Sequence, residues 1–258
     1  MKSGNLFVIE GGDGTGKTDQ VKLLGARLKG EGYKVAEMDF PRYGDPPDGN
    51  PASFFVRKYL QKKEFGFVNG YGPASNVNPY GASLAYALDR FDAAFCHEAR
   101  PNLWDLLKDG YQVVSNRYTQ SNIGFQASKI EDTEERIKFI EWLTDLEYRI
   151  LGIPQPDLVL VLDLDPAIAR ELKARQRKGQ GQSLDAHESN VQILDRAREV
   201  YLEASKLFPN TWTVVDVAEK IHPSLDILAG LRSKEVIHEK IWIKVKEFLN
   251  RGVTLKLV

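Results

Sequence analysis

Five short runs of apolar and β-branched residues punctuate the chain, at residues 6–9, 34–39, 111–115, 158–163 and 212–216. Near-continuous apolar runs of this length read as strands buried on both faces, as in a parallel sheet. Between them the apolar positions recur at helical spacing. Val21, Leu24 and Leu28 share one face, and Leu84, Leu88, Phe91 and Phe95 make a stripe ahead of Pro101. Ile137 and Ile140 open another helix, Val191, Leu194, Tyr201 and Ala204 mark the next, and Ile237, Ile241, Val245 and Phe248 the last. Strands alternating with helices predict an α/β fold, a doubly wound five-stranded parallel sheet flanked by helices. With no linker, repeat or low-complexity block, residues 1–258 read as one domain that ends in a helix and tail over 233–258. Residues 65–81, rich in Gly, Asn and Pro, and the Gly/Gln run at 179–183 read as mobile loops.

The chain has 258 residues, 42% of them hydrophobic, enough to bury a sizeable core. Lys plus Arg is 35 and Asp plus Glu is 36, a formal net charge of -1. That balance argues against a nucleic-acid binder with a basic surface, yet allows a local basic pocket for a phosphorylated small molecule. No apolar run approaches the length of a membrane helix, so no membrane partner is expected. Cys96 is the only cysteine, which rules out an intrachain disulfide and argues against a cysteine metal site. The opening MKSGNLFVIE lacks the long apolar core of a signal peptide, so the expected location is the cytoplasm.

Candidate chemistry begins with Gly11-Gly12-Asp13-Gly14-Thr15-Gly16-Lys17-Thr18. It fits G-x-x-x-x-G-K-[ST] and lies between a strand and a helix, the context a phosphate-binding loop requires. Glycines let backbone N–H groups turn inward onto an anion, and the helix N-terminus adds its positive dipole end. Gly11 to Thr18 are therefore the residues expected to bind a nucleoside triphosphate, ATP in the reading given below. Lys17 would reach the β- and γ-phosphates, and Thr18 would place its hydroxyl on Mg²⁺. A phosphate loop alone does not say which reaction follows.

Downstream lie Leu84-Ala-Tyr86-Ala-Leu-Asp89-Arg90-Phe91 and the run Val114-Ser115-Asn116-Arg117-Tyr118 to Ser121, Phe125 and Gln126. These two segments make the chain resemble the thymidylate kinase family of P-loop nucleoside monophosphate kinases, over nearly its whole length. One runs from Leu84 through Tyr86 and Arg90 to Phe91, similar to the family helix in which an aromatic precedes an Arg by four residues. The resemblance implies that Tyr86 stacks on thymine and Arg90 bonds the base edge. From the residues alone, Tyr86 fits the apolar stripe equally well and Arg90 a structural ion pair. The other segment runs from Val114 to Gln126 and looks like the family signature that follows the third strand. Arg117 would face the crevice at the strand's carboxyl end, where its planar fork suits an acceptor phosphate. The resemblance adds Ser121, Phe125 and Gln126 to the dTMP site. Two positions depart from it: Asn116 stands where the family usually has an acid, and Gly124 where a small aliphatic is more common. Phe40-Pro41-Arg42 resembles a weaker motif, in which Arg42 would contact the acceptor phosphate. The resemblance also gives Asp13 an orienting role at the acceptor sugar or the metal shell.

Arg170, Lys173, Arg175, Arg177 and Lys178 crowd the segment before the Gly/Gln run. Such a cluster reads as a solvated helix face or, by resemblance, as a closing lid over about 170–187. This phosphate loop has Gly14 and no Arg, so it resembles the family type whose lid supplies the catalytic Arg, from among Arg170, Arg175 and Arg177. The resemblance thus implies transfer of the γ-phosphoryl of ATP to dTMP with Mg²⁺, for dTTP biosynthesis, in a homodimer built through helices beside the sheet. A deoxynucleoside kinase on a similar fold and a non-catalytic nucleotide-binding switch remain the alternatives; Asn116 favours the second.

Overall fold

β1 (Asn5–Gly11) runs down the middle of a parallel sheet, and its two faces explain its unbroken apolarity. Leu6 and Val8 enter one core and Phe7 and Ile9 the other, each with 0% exposure. β3 (Gln112–Asn116) and β4 (Leu158–Asp163) flank it and divide their side chains in the same way. β2 (Val35–Asp39) lies outside β3, and β5 (Trp212–Asp216) outside β4, giving the order β2-β3-β1-β4-β5. The expected five strands are thus present, all parallel. One expectation needs correcting: β2 is not buried. It pairs only with β3, and Glu37 and Asp39 are exposed on it.

In this computed structural model the described residues are 3–98, 101–177, 191–219, 226 and 228–254; the side chains of Lys173, Gln176, Arg177, 191–194 and 252–254 lie outside the description. The run at 179–183, Lys178 and most of the expected lid therefore fall outside it. Among the described residues, no helix is long and apolar enough to cross a membrane.

α1 (Lys17–Gly30) buries Val21, Leu24 and Leu28 and packs on α9 (Lys234–Thr254), whose Ile241 and Val245 are fully buried. Truncating Ile241 to Ala there removes about 2–5 kcal/mol of packing. The other face of the sheet carries α3 (Pro79–Phe95), α4 (Leu103–Lys108), α5 (Thr119–Ala127), α6 (Thr133–Thr144) and α8 (Val191–Leu207). A short α2 (Phe54–Tyr59) leans on α3, and α7 (Pro166–Arg177) follows β4.

α3 begins earlier than the composition of 65–81 suggests. Asn78 accepts the Tyr80 and Gly81 N–H groups at 2.9 and 3.2 Å, and Pro79 occupies the first turn. This side-chain cap with a proline behind it starts a helix efficiently. The preceding segment is shaped by local turns, with Gln61 Nε2 donating to Gly72 O at 2.8 Å. α3 then turns its alanines inward. Ala82, Ala85, Ala87, Ala93 and Ala94 are buried, whereas Leu84, Leu88, Phe91 and Phe95 are 46%, 50%, 40% and 37% exposed. The stripe read from the spacing is real but faces outward.

Candidate active site

The phosphate loop joins β1 to α1 at the carboxyl end of the sheet. Gly11 has φ 140, and a Cβ there would stand 2.6 Å from the Leu162 carbonyl oxygen, so only glycine lets the loop pass β4. Lys17 is nearly buried and donates to the carbonyls of Gly11 at 3.0 Å and Gly12 at 2.7 Å. Thr15 Oγ1 donates to Gly12 O at 2.9 Å. The loop is thereby held curled with its lysine inside the curl. Thr18 sits exposed at the mouth.

Beside the loop opens a cavity of about 440 Å³. Asp13, Gly14, Gly16, Lys17 and Thr18 line one end, and Tyr86, Arg90, Ser121, Phe125 and Gln126 the other, with Asn116 and Arg117 between them. Asp19, Phe40, Pro41, Tyr43, Leu60, Tyr118 and Asn122 complete the wall.

Arg117 is the hub. Its φ of 64 is a left-handed conformation that costs a non-glycine residue about 1–2 kcal/mol. The strain is offset by what the conformation places. Its Nη2 donates to Asp13 Oδ1 at 2.5 Å, its N–H reaches Ile9 O at 3.1 Å, and its guanidinium lies 5.5 Å from the Phe125 ring centroid. Burial alone would lower its pKa, but Asp13 and Glu10 outweigh burial and hold it above the ordinary arginine value. Glu10 is fully buried at the end of β1. It accepts the Tyr118 N–H at 2.8 Å, the Ser121 hydroxyl at 2.9 and 3.0 Å and the Tyr201 hydroxyl at 3.0 Å. Burial pushes its carboxyl pKa up, against Arg117, Lys17 and the hydrogen bonds from Tyr118 and Ser121.

The departure at Gly124 has a steric origin. A Cβ there would lie 2.3 Å from Tyr201 Cζ, so the glycine lets the tyrosine of α8 cross α5 and reach Glu10.

At the far end, Tyr86 meets Tyr59 edge-on at 6.1 Å, and Phe125 meets Tyr201 edge-on at 6.3 Å. Gln126 is buried; its Nε2 stands 3.4 Å from the Tyr59 hydroxyl, and its Oε1 has no hydrogen-bond partner among the described residues. Arg90 lines the cavity but commits its fork to Glu147, with Nε and Nη2 each 2.6 Å from a carboxylate oxygen. Both groups are buried, and a helical turn over Asp145–Ile150 presents Glu147. Removing one partner would strand a buried charge, at about 3–5 kcal/mol. Thr119 Oγ1 also donates to Glu147 Oε2, at 2.8 Å.

Among the described side chains, three expected ones lie outside this cavity: Arg42, Arg170 and Arg175. Arg42 does not line the cavity; it bonds Asp89 through N and Nε at 2.9 Å and Asp92 through Nη2 at 2.6 Å, pinning the loop after β2 to α3. Arg175 is exposed and pairs with Glu171 and Asp226 at 2.7 and 3.0 Å. The side chain of Arg177 lies outside the described residues. Arg170 pairs with Asp195 and lines a second, smaller cavity on the other flank of the loop, with Gly11, Gly12, Asp13, Thr15 and Arg198.

Sequence reasoning missed Glu10, Tyr43, Asn122, Glu147, Arg198 and Tyr201. Asn122 follows Ser121 directly and carried a signal, a second amide beside the expected pocket. The others enter from separate elements and carried none. For Mg²⁺, the fit is the open kind: the Thr18 hydroxyl stands at the loop mouth, while Asp13 is engaged by Arg117. No cluster of three His, Cys, Asp or Glu side chains among the described residues could cage a metal. Such a donor set suits an ion held mainly by phosphate oxygens and water.

Comparison with known proteins agrees with this architecture. A model of the family described as "Thymidylate kinase" matches residues 9–225. Thymidylate kinase of Mycobacterium tuberculosis is 30% identical over 213 residues, 81% of this chain and 90% of that one. A probable thymidylate kinase of Pyrobaculum aerophilum is 28% identical over 97% of this chain and 99% of its own. A thymidylate kinase structure from Candida albicans superposes with TM-score 0.64 at 21% identity, covering 97% and 94% of the two chains, and so shares the fold. With the phosphate loop, the Arg117 hub and the aromatic end of one cavity lying inside the matched span, the chain belongs to the thymidylate kinase family.

Proposed function

We propose that this protein transfers the γ-phosphoryl of ATP to the 5′-phosphate of dTMP, giving dTDP and ADP, as one kinase domain working in the cytoplasm. The observation that carries this reading is Arg117. It stands between the phosphate loop and the aromatic end of one cavity, already braced by Asp13 and flanked by Phe125.

The acceptor phosphate is anionic at neutral pH, so no strong general base is needed. Catalysis is alignment plus charge neutralisation. Lys17 and the loop amides hold the donor. Arg117 takes the acceptor phosphate in its fork while Asp13 keeps that fork aimed. Tyr86 and Phe125 wall the base, and Gln126 offers its unpartnered Oε1 to a base N–H. Ser121 and Glu10 keep the start of α5 in place. Arg90, gripped by Glu147, presents the N–H groups left over from that pair to the base edge. Thr18 would hold Mg²⁺, which would supply charge neutralisation to the nucleotide phosphates. Arg170 is the lid arginine this reading favours at the transferring phosphoryl, because it already lines the flank of the loop.

We also assign homodimer formation to α3. Leu84, Leu88, Phe91 and Phe95 form one exposed apolar row on it, and the Phe91 and Phe95 rings are 4.9 Å apart. Rows of this kind mark contact surfaces. Separation of the reaction products tests the activity: dTDP and ADP should appear in equal amounts, and thymidine in place of dTMP should yield neither.

A further inference from the structure

Asn116, the uncharged residue at the end of β3, has an acidic neighbour that sequence reading did not single out. Asp39 closes β2 in direct register with Asn116. Asn116 Nδ2 donates to Asp39 Oδ1 at 2.9 Å and stands 3.4 Å from Thr18 Oγ1. The three side chains form a row from the sheet edge to the hydroxyl beside Lys17. Turned the other way, the amide would set its carbonyl oxygen against the Asp39 carboxylate, so an ionised Asp39 decides which end of Asn116 faces Thr18.

Of the other carboxylates around the loop, Asp13 is bound to Arg117, Glu10 is sealed among Tyr118, Ser121 and Tyr201, Asp19 pairs with Lys234, and Asp163 pairs with Arg198. Asp39 has only a neutral amide for its hydrogen-bond partner among the described residues, and its Oδ2 accepts no hydrogen bond there. Although the residue is exposed at the sheet edge, partial desolvation of its carboxyl pushes the pKa up, while Arg117, the Asn116 hydrogen bond and Lys17 act to keep it ionised. A lone amide would turn only the positive end of its dipole toward a cation at Thr18. A carboxylate behind the amide reverses that field and leaves Oδ2 to accept from cation-bound water.

We propose that Asp39, acting through Asn116, is the positioning carboxylate for the divalent cation that accompanies the nucleotide at Thr18. This rests on the nucleotide reading of the loop given above. It makes the neutral Asn116 one half of a two-residue device whose charge sits on β2.

The test measures ADP affinity by calorimetry twice for each full-length protein, with EDTA and with Mg²⁺; the ratio of the two Kd values is the metal's contribution. Asp39→Asn should cut that ratio by roughly 10- to 100-fold, with Tm and metal-free ADP affinity unchanged. The exchanged double variant, Asp39→Asn with Asn116→Asp, returns a charge to the pair and should recover most of the loss. Asn116→Asp alone sets two carboxylates within hydrogen-bond range. It should raise the ratio and lower Tm in EDTA through like-charge repulsion. An unchanged ratio in Asp39→Asn overturns the proposal, and so does a loss that the exchanged variant fails to recover, which would mark Asp39 as structural. dTMP-dependent turnover of the unmodified protein is followed in parallel. Its absence would remove the kinase reading, whereas the Kd ratios report on Asp39 alone.

Discussion

Arg117 Nη2 lies 2.5 Å from Asp13 Oδ1, so the residue that follows the third strand is fastened to the loop that follows the first. The contact ties the aromatic end of the cavity to the phosphate-loop end. Arg117→Ala removes a charge-assisted fork and should raise KM for dTMP by about 10- to 100-fold. KM for ATP should change far less. Equal damage to both would make Arg117 a structural brace alone.

The two basic residues of α7 that the structure describes in full should separate in kinetics. Arg170 lines the flank of the phosphate loop, whereas Arg175 is occupied by Glu171 and Asp226 on the surface. Exposed pairs of that kind contribute about 0–1 kcal/mol. Arg170→Ala should lose at least about tenfold in kcat, as expected when a charge at the transferring phosphoryl is removed. Arg175→Ala should stay near normal. The reverse order would move the catalytic arginine down the helix.

The reach of sequence reading can be judged residue by residue. β1, β3 and β4 were legible because both of their faces are buried, which leaves no polar alternation to confuse them. β2 was found but misjudged, since its edge position is a property of strand order and not of its own residues. The α3 stripe was legible as a stripe, but periodicity says which residues share a face and not which way the face points. The phosphate loop carries its chemistry within eight consecutive residues. Glu10, Tyr201 and Glu147 meet the site from three different elements, and only the folded chain brings them there. The motif around Arg42 was visible, yet Asp89 and Asp92, which turn its side chain away from the cavity, lie a helix away.

The outward stripe leads to an association test. Leu88 is 50% exposed in the middle of it. Leu88→Asp should shift the protein to monomer in sedimentation velocity, at unchanged secondary structure. A monomeric unmodified protein at tens of micromolar would instead leave the stripe without a self-contact role.

Gly124→Ala tests the crossing of α5 and α8. A methyl group 2.3 Å from Tyr201 Cζ forces the ring off its seat and its hydroxyl away from Glu10. Overpacking of this kind costs about 1–3 kcal/mol, so thermal melting should fall by several degrees. An unchanged melting temperature would show that the two helices part without strain.

The central claim is that one cavity aligns ATP on Lys17 with dTMP on Arg117. Its most direct test is the steady-state rate of ADP formation by the unmodified chain, with and without dTMP, beside Lys17→Ala. ADP should form rapidly only when dTMP is present. Lys17→Ala should lose about 10²- to 10³-fold in kcat at an unchanged melting temperature, because a charge held on the migrating phosphoryl is gone. Slow ADP release that ignores dTMP, or a Lys17→Ala variant with normal kcat, would contradict the account.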